Sequence, residues 1–248
     1  MPTPLPQVHA LVQAGGKGMR LRPATTDRPK PMLEVGGLPM VERILRSLVG
    51  AGIDRITVIT GHPGEVVRSH LAGLDDLNRR ARIDFFAEPE PLGNVGAMGR
   101  VPLERPLALL VFGDLVTDLD FRELVERHVR QGVDILLASH HETHRLQLGE
   151  LLVAGERVVG YREKPEKRFL ICSGIGLFRR ETLAAIPVDG TPFGLADLVT
   201  ACLERGHAVA HWEHGAFWMD VNSPEALAEA DRRVAAARDA LHARTPPA

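Results

Sequence analysis

Cysteine, lysine, long apolar runs and net charge are all scarce in this sequence, and the scarcity excludes several classes of protein. Two cysteines among 248 residues, Cys172 and Cys202, are too few for a disulfide framework, so we expect two buried free thiols. No apolar run approaches the roughly 18 residues that a membrane span needs, and residues 1–6 lack the basic and apolar regions of a secretory signal. We therefore expect a cytoplasmic protein with no membrane partner.

The charge balance is close to neutral. Thirty basic and 32 acidic residues leave a formal net charge of -2, which excludes nucleic-acid binding driven by overall positive charge. A content of 44% hydrophobic and 25% charged residues excludes disorder, collagen and coiled coil. At this length we expect one domain over residues 1–248.

Short apolar runs alternate with helical patterns in the first half of the chain, which is typical of α/β proteins. Apolar residues at helical spacing after Pro39 predict an amphipathic helix that ends near Gly50, and Asp120 with Glu123 predicts a capping box for a helix over 121–131. The order predicts a mostly parallel, Rossmann-like sheet flanked by helices, with its ligand crevice beyond the carboxyl ends of the strands. Strands are predicted at 8–14, 56–60, 83–87, 107–112 and 133–138.

The second half of the chain is less regular. We expect its strands to extend the same sheet. Ser223 and Pro224 predict the N-cap and first residue of a terminal helix that runs through Ala237. The strands of this half are predicted at 151–153, 158–161, 171–178 and 208–212.

The first chemical motif is a loop over residues 14–31, AGGKGMRLRPATTDRPKP, directly after the first predicted strand. Its glycines let the backbone approach a ligand and present N–H groups to phosphate. The sequences GK[ST] and GxGxxG are absent, which excludes a Walker A loop and a dinucleotide fingerprint. An anion site is favoured over a solvated surface loop, because five basic residues against Asp27 alone give a local charge of +4: Lys17, Arg20, Arg22, Arg28 and Lys30.

Lysine is used at only four positions in the whole chain, and two of them lie in this loop. Where arginine is so strongly favoured, a lysine indicates a place that needs a compact ammonium charge instead of a planar guanidinium. The four are Lys17, Lys30, Lys164 and Lys167.

Residues 14–40 resemble the signature of the sugar-phosphate nucleotidylyltransferases, GGxGTRLxPxTxxxPKPMxxxxGxPM. Met19 stands where that family has threonine, and Gln13 in the preceding strand is a second departure. Further matches follow in the family order over most of the chain: EPEPLGNVGAM at 88–98, VFGDLVTDLD at 111–120, YREKPEK at 161–167, SGIGLF at 173–178 and FWMDVNSPEAL at 217–227.

The resemblance implies a nucleotide-binding half over about 1–138 and a half over about 139–248 that binds sugar phosphate and includes the C-terminal helix. The implied partners are a nucleoside triphosphate and a sugar 1-phosphate, and a homo-oligomer is left open. By resemblance Arg20 grips the triphosphate, and Lys30 and Asp114 complete the catalytic set. The implied nucleotide-binding residues are Ala14, Gly15, Gly16, Lys17, Gly18, Glu88 and Gly93, and those for the sugar phosphate are Glu163, Lys164 and Gly174.

Two aspartates suggest a metal site. Asp114 follows the apolar run LALLVFG at the expected carboxyl end of a strand, and Asp220 ends the run AFWMD. Two carboxylates together with phosphate oxygens and water suit Mg²⁺, which takes few protein ligands. The resemblance implies that Asp114 and Asp220 are the Mg²⁺ ligands, whereas either aspartate alone reads as an ordinary turn residue.

Glu88 bears on the choice of base. A carboxylate only accepts hydrogen bonds, and guanine is the base whose pairing edge offers two adjacent donors, so the residue favours GTP. The segment EPEPLG also resembles guanylyltransferases that act on mannose or heptose phosphates. The alternatives are the same reaction with dTTP, UTP or CTP, and a non-catalytic regulatory subunit that binds nucleotide sugar.

Two groups of histidines have spacings that a metal site could use. They lack the HExxH pattern and a cysteine partner, so solvated or hydrogen-bonded imidazoles are favoured over metal ligands. The groups are His140, His141 and His144, and His207, His211 and His214.

Overall fold

A seven-stranded sheet runs through the computed structural model, which describes residues 5, 7–15, 21, 25, 28–61 and 64–244, with side chains described as far as residue 237. The strands are β1 (Val8–Gln13), β2 (Glu34–Val35), β3 (Leu38–Pro39), β4 (Arg55–Thr60), β5 (Arg82–Ala87), β6 (Leu107–Phe112), β7 (Leu115–Thr117), β8 (Ile135–Arg145), β9 (Glu150–Ala154), β10 (Arg157–Arg162), β11 (Glu166–Arg179), β12 (Val209–Glu213) and β13 (Trp218–Asp220). The α-helices are α1 (Met40–Gly50), α2 (Glu65–Ala72), α3 (Asp75–Asn78), α4 (Phe121–Gln131), α5 (Leu195–Glu204) and α6 (Pro224–Arg244).

The sheet is mostly parallel, as predicted. Its strand order is β12-β8-β11-β6-β1-β4-β5, and β11 alone runs antiparallel to its two neighbours, β6 and β8. The predicted α/β class is therefore confirmed. The expected division of the chain at about residue 138 falls within β8, so strands from both halves share this sheet.

The core lies on both faces of β1. All six residues of this strand are buried, and alternate side chains point to opposite faces of the sheet. Val8, Ala10 and Val12 pack in a cluster with apolar residues of α1 and α4. Leu11 packs on the other face in a cluster that includes residues of α5. A strand covered on both faces is mostly apolar, which is why its sequence shows no alternation, and the buried His9 has a polar partner in Thr57 Oγ1 at 2.9 Å.

The elements of the first half agree closely with the sequence pattern. The helix predicted after Pro39 is α1, and its five periodic apolar residues are all buried: Val41, Ile44, Leu45, Leu48 and Val49. The helix predicted over 121–131 is α4.

Two predictions for the second half are wrong. Strands β9 and β10 do not extend the main sheet but form a separate two-stranded ribbon. Cys172 is exposed, whereas Cys202 is buried as expected. Apolar residues in short runs are typical of buried strands, so the sequence did not indicate that the ribbon lies outside the core. Five residues of the ribbon expose large apolar side chains: Leu151, Val153, Val158, Val159 and Tyr161.

The last helix begins where the sequence predicts and ends later. Ser223 Oγ accepts a hydrogen bond from Ala226 N at 3.1 Å, as an N-cap does, and Ala230 is fully buried. The helix continues past the predicted end at Ala237 to Arg244. In the part of the chain that the structure describes, no helix is both long and apolar enough to cross a membrane.

Asp120 caps α4, although only half of the predicted capping box is formed. Its carboxylate accepts hydrogen bonds from Arg122 N at 2.9 Å and Glu123 N at 3.1 Å. Glu123 accepts from Arg127 one turn along the helix, at 2.8 and 2.6 Å. A charged partner four residues away competes with the backbone N–H that a capping box would use.

Replacement of Asp120 by alanine should therefore lower the free energy of unfolding by about 1 kcal/mol, because two backbone N–H groups lose their acceptor. Urea denaturation measures the change. Glu126→Ala on the exposed face of the same helix is the control, and its effect should stay within about 0.5 kcal/mol. Equal stability of Asp120→Ala and the wild type would show that the cap contributes nothing.

Candidate functional site

Polar residues gather where the central strands end. Gly113 directly follows β6, and Gln13 is the last residue of β1. The N–H of Gly113 donates to the carbonyl oxygen of Gln13 at 2.8 Å. A Cβ at Gly113 would lie 2.8 Å from Gln13 O and 3.1 Å from Ala14 Cα, so only glycine allows the two strand ends to approach this closely. The contact places Asp114 beside the beginning of the glycine-rich loop.

Lys30, Asp114 and Asp220, the charge cluster, lie together at this edge. Lys30 Nζ donates to Asp114 Oδ2 at 2.6 Å and lies 3.5 Å from Asp220 Oδ1. Only 13% of the lysine side chain is exposed. An ammonium group with so little access to water is stable only with paired charges, and the two carboxylates provide them.

A short antiparallel ladder brings the two aspartates together. In β7 and β13, Leu115 pairs with Asp220, and Val221 N donates to Asp114 O at 3.1 Å. Residues more than 100 positions apart in the chain thereby become neighbours. Lys30 comes from a third segment, where it begins a 3₁₀ turn directly after Pro29.

The carboxylates of the charge cluster fit a divalent metal ion. Asp220 Oδ2 accepts from Asn222 Nδ2 at 3.1 Å, and the buried Asp220 Oδ1 makes no hydrogen bond, since its contact with Lys30 Nζ is an ion pair at 3.5 Å. Oxygen ligands of this kind suit Mg²⁺, which retains several waters and needs few ligands from protein. In the described part of the chain no three metal-binding side chains cluster, so a metal ion here would rely on substrate oxygens or water for its remaining ligands.

A second group of polar atoms, the acceptor pair, consists of the side chains of Gln13 and Glu88. Glu88 follows β5, and its backbone N–H donates to Thr60 O at 2.8 Å. Its carboxylate lies beside the Gln13 side chain, since Glu88 Oε2 and Gln13 Nε2 both approach Gly15. Glu88 Oε1 and Gln13 Oε1 are nevertheless both buried without a hydrogen-bond partner.

Gly15 leaves room for the acceptor pair. A Cβ on this residue would lie 2.7 Å from Glu88 Oε2 and 3.4 Å from Gln13 Nε2. Any other residue at position 15 would therefore displace the carboxylate. The pKa of Glu88 is raised by burial, and the hydrogen bonds from Gln13 and Leu92 oppose that rise.

Four predicted site residues fall outside the described residues: Gly16, Lys17 and Gly18 of the nucleotide-binding set and Arg20 of the catalytic set. Ala14 is buried, and its N–H donates to Ile59 O at 2.7 Å, so this N–H group is already used within the sheet. Gly93 has a φ of 82°, and a Cβ there would collide with the backbone of Phe193. Its conformation and this close approach both require glycine.

The residues predicted for the sugar phosphate lie on two segments. Glu163 and Lys164 are exposed in the turn between β10 and β11, where Glu163 accepts from Tyr161 Oη at 2.9 Å and Lys164 has a φ of 44°. Gly174 is buried at an irregularity in β11, with a φ of 68°. A Cβ on Gly174 would lie 2.7 Å from the ring of Phe112, which directly precedes Gly113 and Asp114.

The sequence did not identify a polar network behind β13. Ser173 Oγ lies 2.8 Å from His140 Nδ1 and 2.8 Å from His214 Nε2, and Trp218 Nε1 donates to Ser173 O at 2.7 Å. These contacts hold β13, and with it Asp220, against β8 and β11. The histidines here therefore make hydrogen bonds with structural roles, and Ser173 of the SGIGLF motif is the one sequence signal that could have pointed to them.

Residues 9–237 match the family model described as nucleotidyl transferase. The mannose-1-phosphate guanylyltransferase of Mycobacterium tuberculosis is 28% identical over 231 residues, which covers 88% of this chain and 62% of that protein. The D-glycero-alpha-D-manno-heptose 1-phosphate guanylyltransferase of Aneurinibacillus thermoaerophilus is 27% identical over 159 residues, which covers 63% of this chain and 68% of that protein. The chain spans about three fifths of the length of the curated mannose-1-phosphate relatives that it matches.

The fold has counterparts among solved structures. The structure of HddC from Yersinia pseudotuberculosis superposes with a TM-score of 0.71 at 22% identity, covering 91% of this chain and 99% of that one. At this level of identity the likeness establishes the fold. The same α/β sheet is therefore shared by the two proteins.

Replacement of Glu88 by glutamine should stabilise the ligand-free protein at neutral pH. Burial raises the pKa of Glu88 above its ordinary value of 4.5, so the folded chain binds this proton more tightly than the unfolded chain does. The stability due to the protonated carboxyl is present below about pH 4.5 and is lost as the pH rises through the raised pKa. The gain of Glu88→Gln in the free energy of unfolding should therefore appear at about pH 7 and disappear at about pH 4.

Urea denaturation across this pH range measures the effect. Glu90→Gln, an exposed carboxylate of the same segment, is the matched control and should show no comparable gain. A gain for Glu88→Gln that is the same at both ends of the range would contradict a role for the buried charge.

Proposed function

The chain belongs to the nucleotidyl transferase family, and we propose that it transfers the nucleotidyl group of a nucleoside triphosphate, with GTP preferred, to a sugar 1-phosphate. The products are a nucleoside diphosphate sugar and pyrophosphate. The observation that carries the proposal is the position of Lys30 Nζ between the carboxylates of Asp114 and Asp220, at the carboxyl edge of the sheet. Open α/β sheets bind ligands at this edge.

The proposed reaction is a displacement at phosphorus. An oxygen of the sugar 1-phosphate attacks the α-phosphorus and forms a new P–O bond, while the bond from the α-phosphorus to the bridging oxygen of the β-phosphate breaks. Pyrophosphate leaves with the electron pair of that bond. Because both reactants are anions, the protein contributes mainly by positioning them and neutralising their charge.

Lys30 is the described residue that we assign to this neutralisation. Its ammonium group is nearly buried and is held by Asp114, so it is fixed before substrate binds. A fixed positive charge stabilises the negative charge that develops in the transition state without reorganisation. We assign a similar role at the triphosphate to Arg20, on the resemblance of the loop sequence.

Asp114 and Asp220 are the residues that would hold Mg²⁺. A bound Mg²⁺ supplies positive charge that neutralises phosphate oxygens of the substrates. Asp220 Oδ1 supports this assignment, because it is buried 3.5 Å from Lys30 Nζ without a hydrogen bond, and a metal ion would offset the negative charge that the two carboxylates have in excess of the one ammonium group. Asn222 holds the other oxygen of Asp220 and so fixes the direction of the carboxylate.

The preference for GTP is supported by Glu88. Its free oxygen is an acceptor in a buried position, which suits a base with N–H donors on its pairing edge. The two relatives described above are both named guanylyltransferases.

We assign the binding of the sugar phosphate to Glu163, Lys164 and Gly174, with mannose and heptose phosphates as the first candidates. We place the reaction in the cytoplasm, where nucleoside triphosphates are available.

Pyrophosphate release should be detected with GTP and mannose 1-phosphate or a heptose 1-phosphate in the presence of Mg²⁺. The assay compares kcat/KM for GTP, ATP, CTP, UTP and dTTP with each sugar phosphate. Glu88→Gln should lower kcat/KM for GTP and relatively favour UTP or dTTP, because one acceptor becomes a donor. Glu90→Gln is the control and should keep the order of preference.

A wild-type preference for a pyrimidine nucleotide would overturn the assignment of GTP. Tight binding of nucleotide sugar without any turnover would instead support the regulatory subunit. Turnover that is undiminished in excess EDTA would contradict the metal site at Asp114 and Asp220.

Lys30→Met should lower kcat/KM about 10²-fold or more, because removal of a charge that acts in the transition state has effects of this size. Lys167→Met is the matched control, since that lysine pairs with Glu150 on the β9 strand. Steady-state kinetics measure both variants, and circular dichroism checks that both remain folded. Kinetics of Lys30→Met near those of the wild type would remove Lys30 from the catalytic set.

A further inference from the structure

Gln13 is out of place in its strand. It is the last residue of β1, 9% exposed, and its partners across the two ladders are Ile59 and Phe112. Its side chain shares a face of the sheet with Leu11, which packs in an apolar cluster. An aliphatic residue would suit these neighbours, and a buried amide with an unsatisfied oxygen costs free energy. Packing alone therefore gives no reason for glutamine here.

The hydrogen bond to Glu88 fixes how the amide is oriented. Gln13 Nε2 and Glu88 Oε2 lie on the same side, 3.4 and 2.7 Å from the position of a Cβ at Gly15, and an ionised carboxylate can only accept hydrogen bonds. The NH₂ group of Gln13 therefore faces Glu88, and its carbonyl oxygen is directed elsewhere. That oxygen is buried and unpartnered, and so is Glu88 Oε1.

The two side chains that carry these unpartnered acceptors both approach Gly15, and together they suit one kind of base edge. Guanine offers the N1–H and the exocyclic 2-amino group side by side, and no other common base offers two adjacent donor groups there. Glu88 Oε1 and Gln13 Oε1 together supply two acceptors, whereas Glu88 acting alone has one free oxygen. Because residue 15 is glycine, no Cβ at that position covers the side chains of Gln13 and Glu88.

We propose that Gln13 is a specificity-determining residue, which fixes the Glu88 carboxylate through its NH₂ group and accepts a hydrogen bond from the 2-amino group of guanine through its carbonyl oxygen. This inference rests on the proposed function, since it concerns the base of the same substrate. It assigns Gln13 a contact of its own with the base, in addition to that of Glu88.

Inosine triphosphate tests the contact, because it differs from GTP only by lacking the 2-amino group. Calorimetry measures the Kd of GTP and ITP for the wild type, Gln13→Met and Gln13→Leu, and kcat/KM is measured for the same pairs. The wild type should bind GTP about tenfold or more tightly than ITP, the size of effect expected when a buried acceptor loses its donor. In both variants the ratio should fall to within about threefold, mainly through weaker binding of GTP.

The control is Gln7→Met, the same substitution at an exposed residue just before β1, and it should keep the wild-type ratio. A wild type that binds GTP and ITP equally, or folded variants that keep the wild-type ratio, would overturn the role of Gln13 and leave the proposed function intact. A wild type that prefers UTP or dTTP to both purines would overturn the GTP assignment itself. Because the ratio is measured by binding, a chain without turnover still tests Gln13.

Discussion

The parallel pairing of β1 with β4 on one side and β6 on the other is the constraint on which the site depends. Its register sets Gln13 beside Ile59 and Phe112, so the three strands end within one residue of the same level. Residues that follow the strands then meet along one edge, although they are far apart in the chain. A slip of one residue would turn Gln13 to the opposite face of the sheet and separate it from Glu88. The register of β1 with its neighbours therefore determines the geometry of the site as well as the packing of the core.

Electrostatics divide this edge into two regions. In the charge cluster two carboxylates flank one ammonium group, which leaves a formal excess of one negative charge among Lys30, Asp114 and Asp220. The acceptor pair contributes two more buried oxygens, Gln13 Oε1 and Glu88 Oε1, and contains no positively charged side chain. The described part of the edge is thus suited to cations and N–H donors. The phosphates proposed as substrates require donors, and the basic loop sequence over 14–31 supplies those.

The spacing of apolar residues predicted the strands and helices that have a clear pattern of burial, and the sequence motifs predicted the charged residues at the ends of the strands. β1 and α1 follow directly from their apolar spacing, and Asp114 was placed correctly at the end of a strand. The ladder of β7 with β13 could not be predicted, because strands of three residues carry too little pattern. In the sequence Gln13 is only a departure from the family signature, because its role depends on Glu88, which is 75 positions away and is brought near by the fold.

The unsatisfied atoms of the site show how its stability and its selectivity are connected. Among the described residues of the site, two buried oxygens have no hydrogen-bond partner, Gln13 Oε1 and Glu88 Oε1, whereas Asp220 Oδ1 has its ion pair with Lys30. Each such group costs about 1–3 kcal/mol in the ligand-free protein, and a matching ligand recovers that free energy. A base that presents an acceptor to the same atoms recovers none of it and adds repulsion. The cost of burying these acceptors is therefore the physical source of the discrimination that we propose, and the same burial raises the pKa of Glu88.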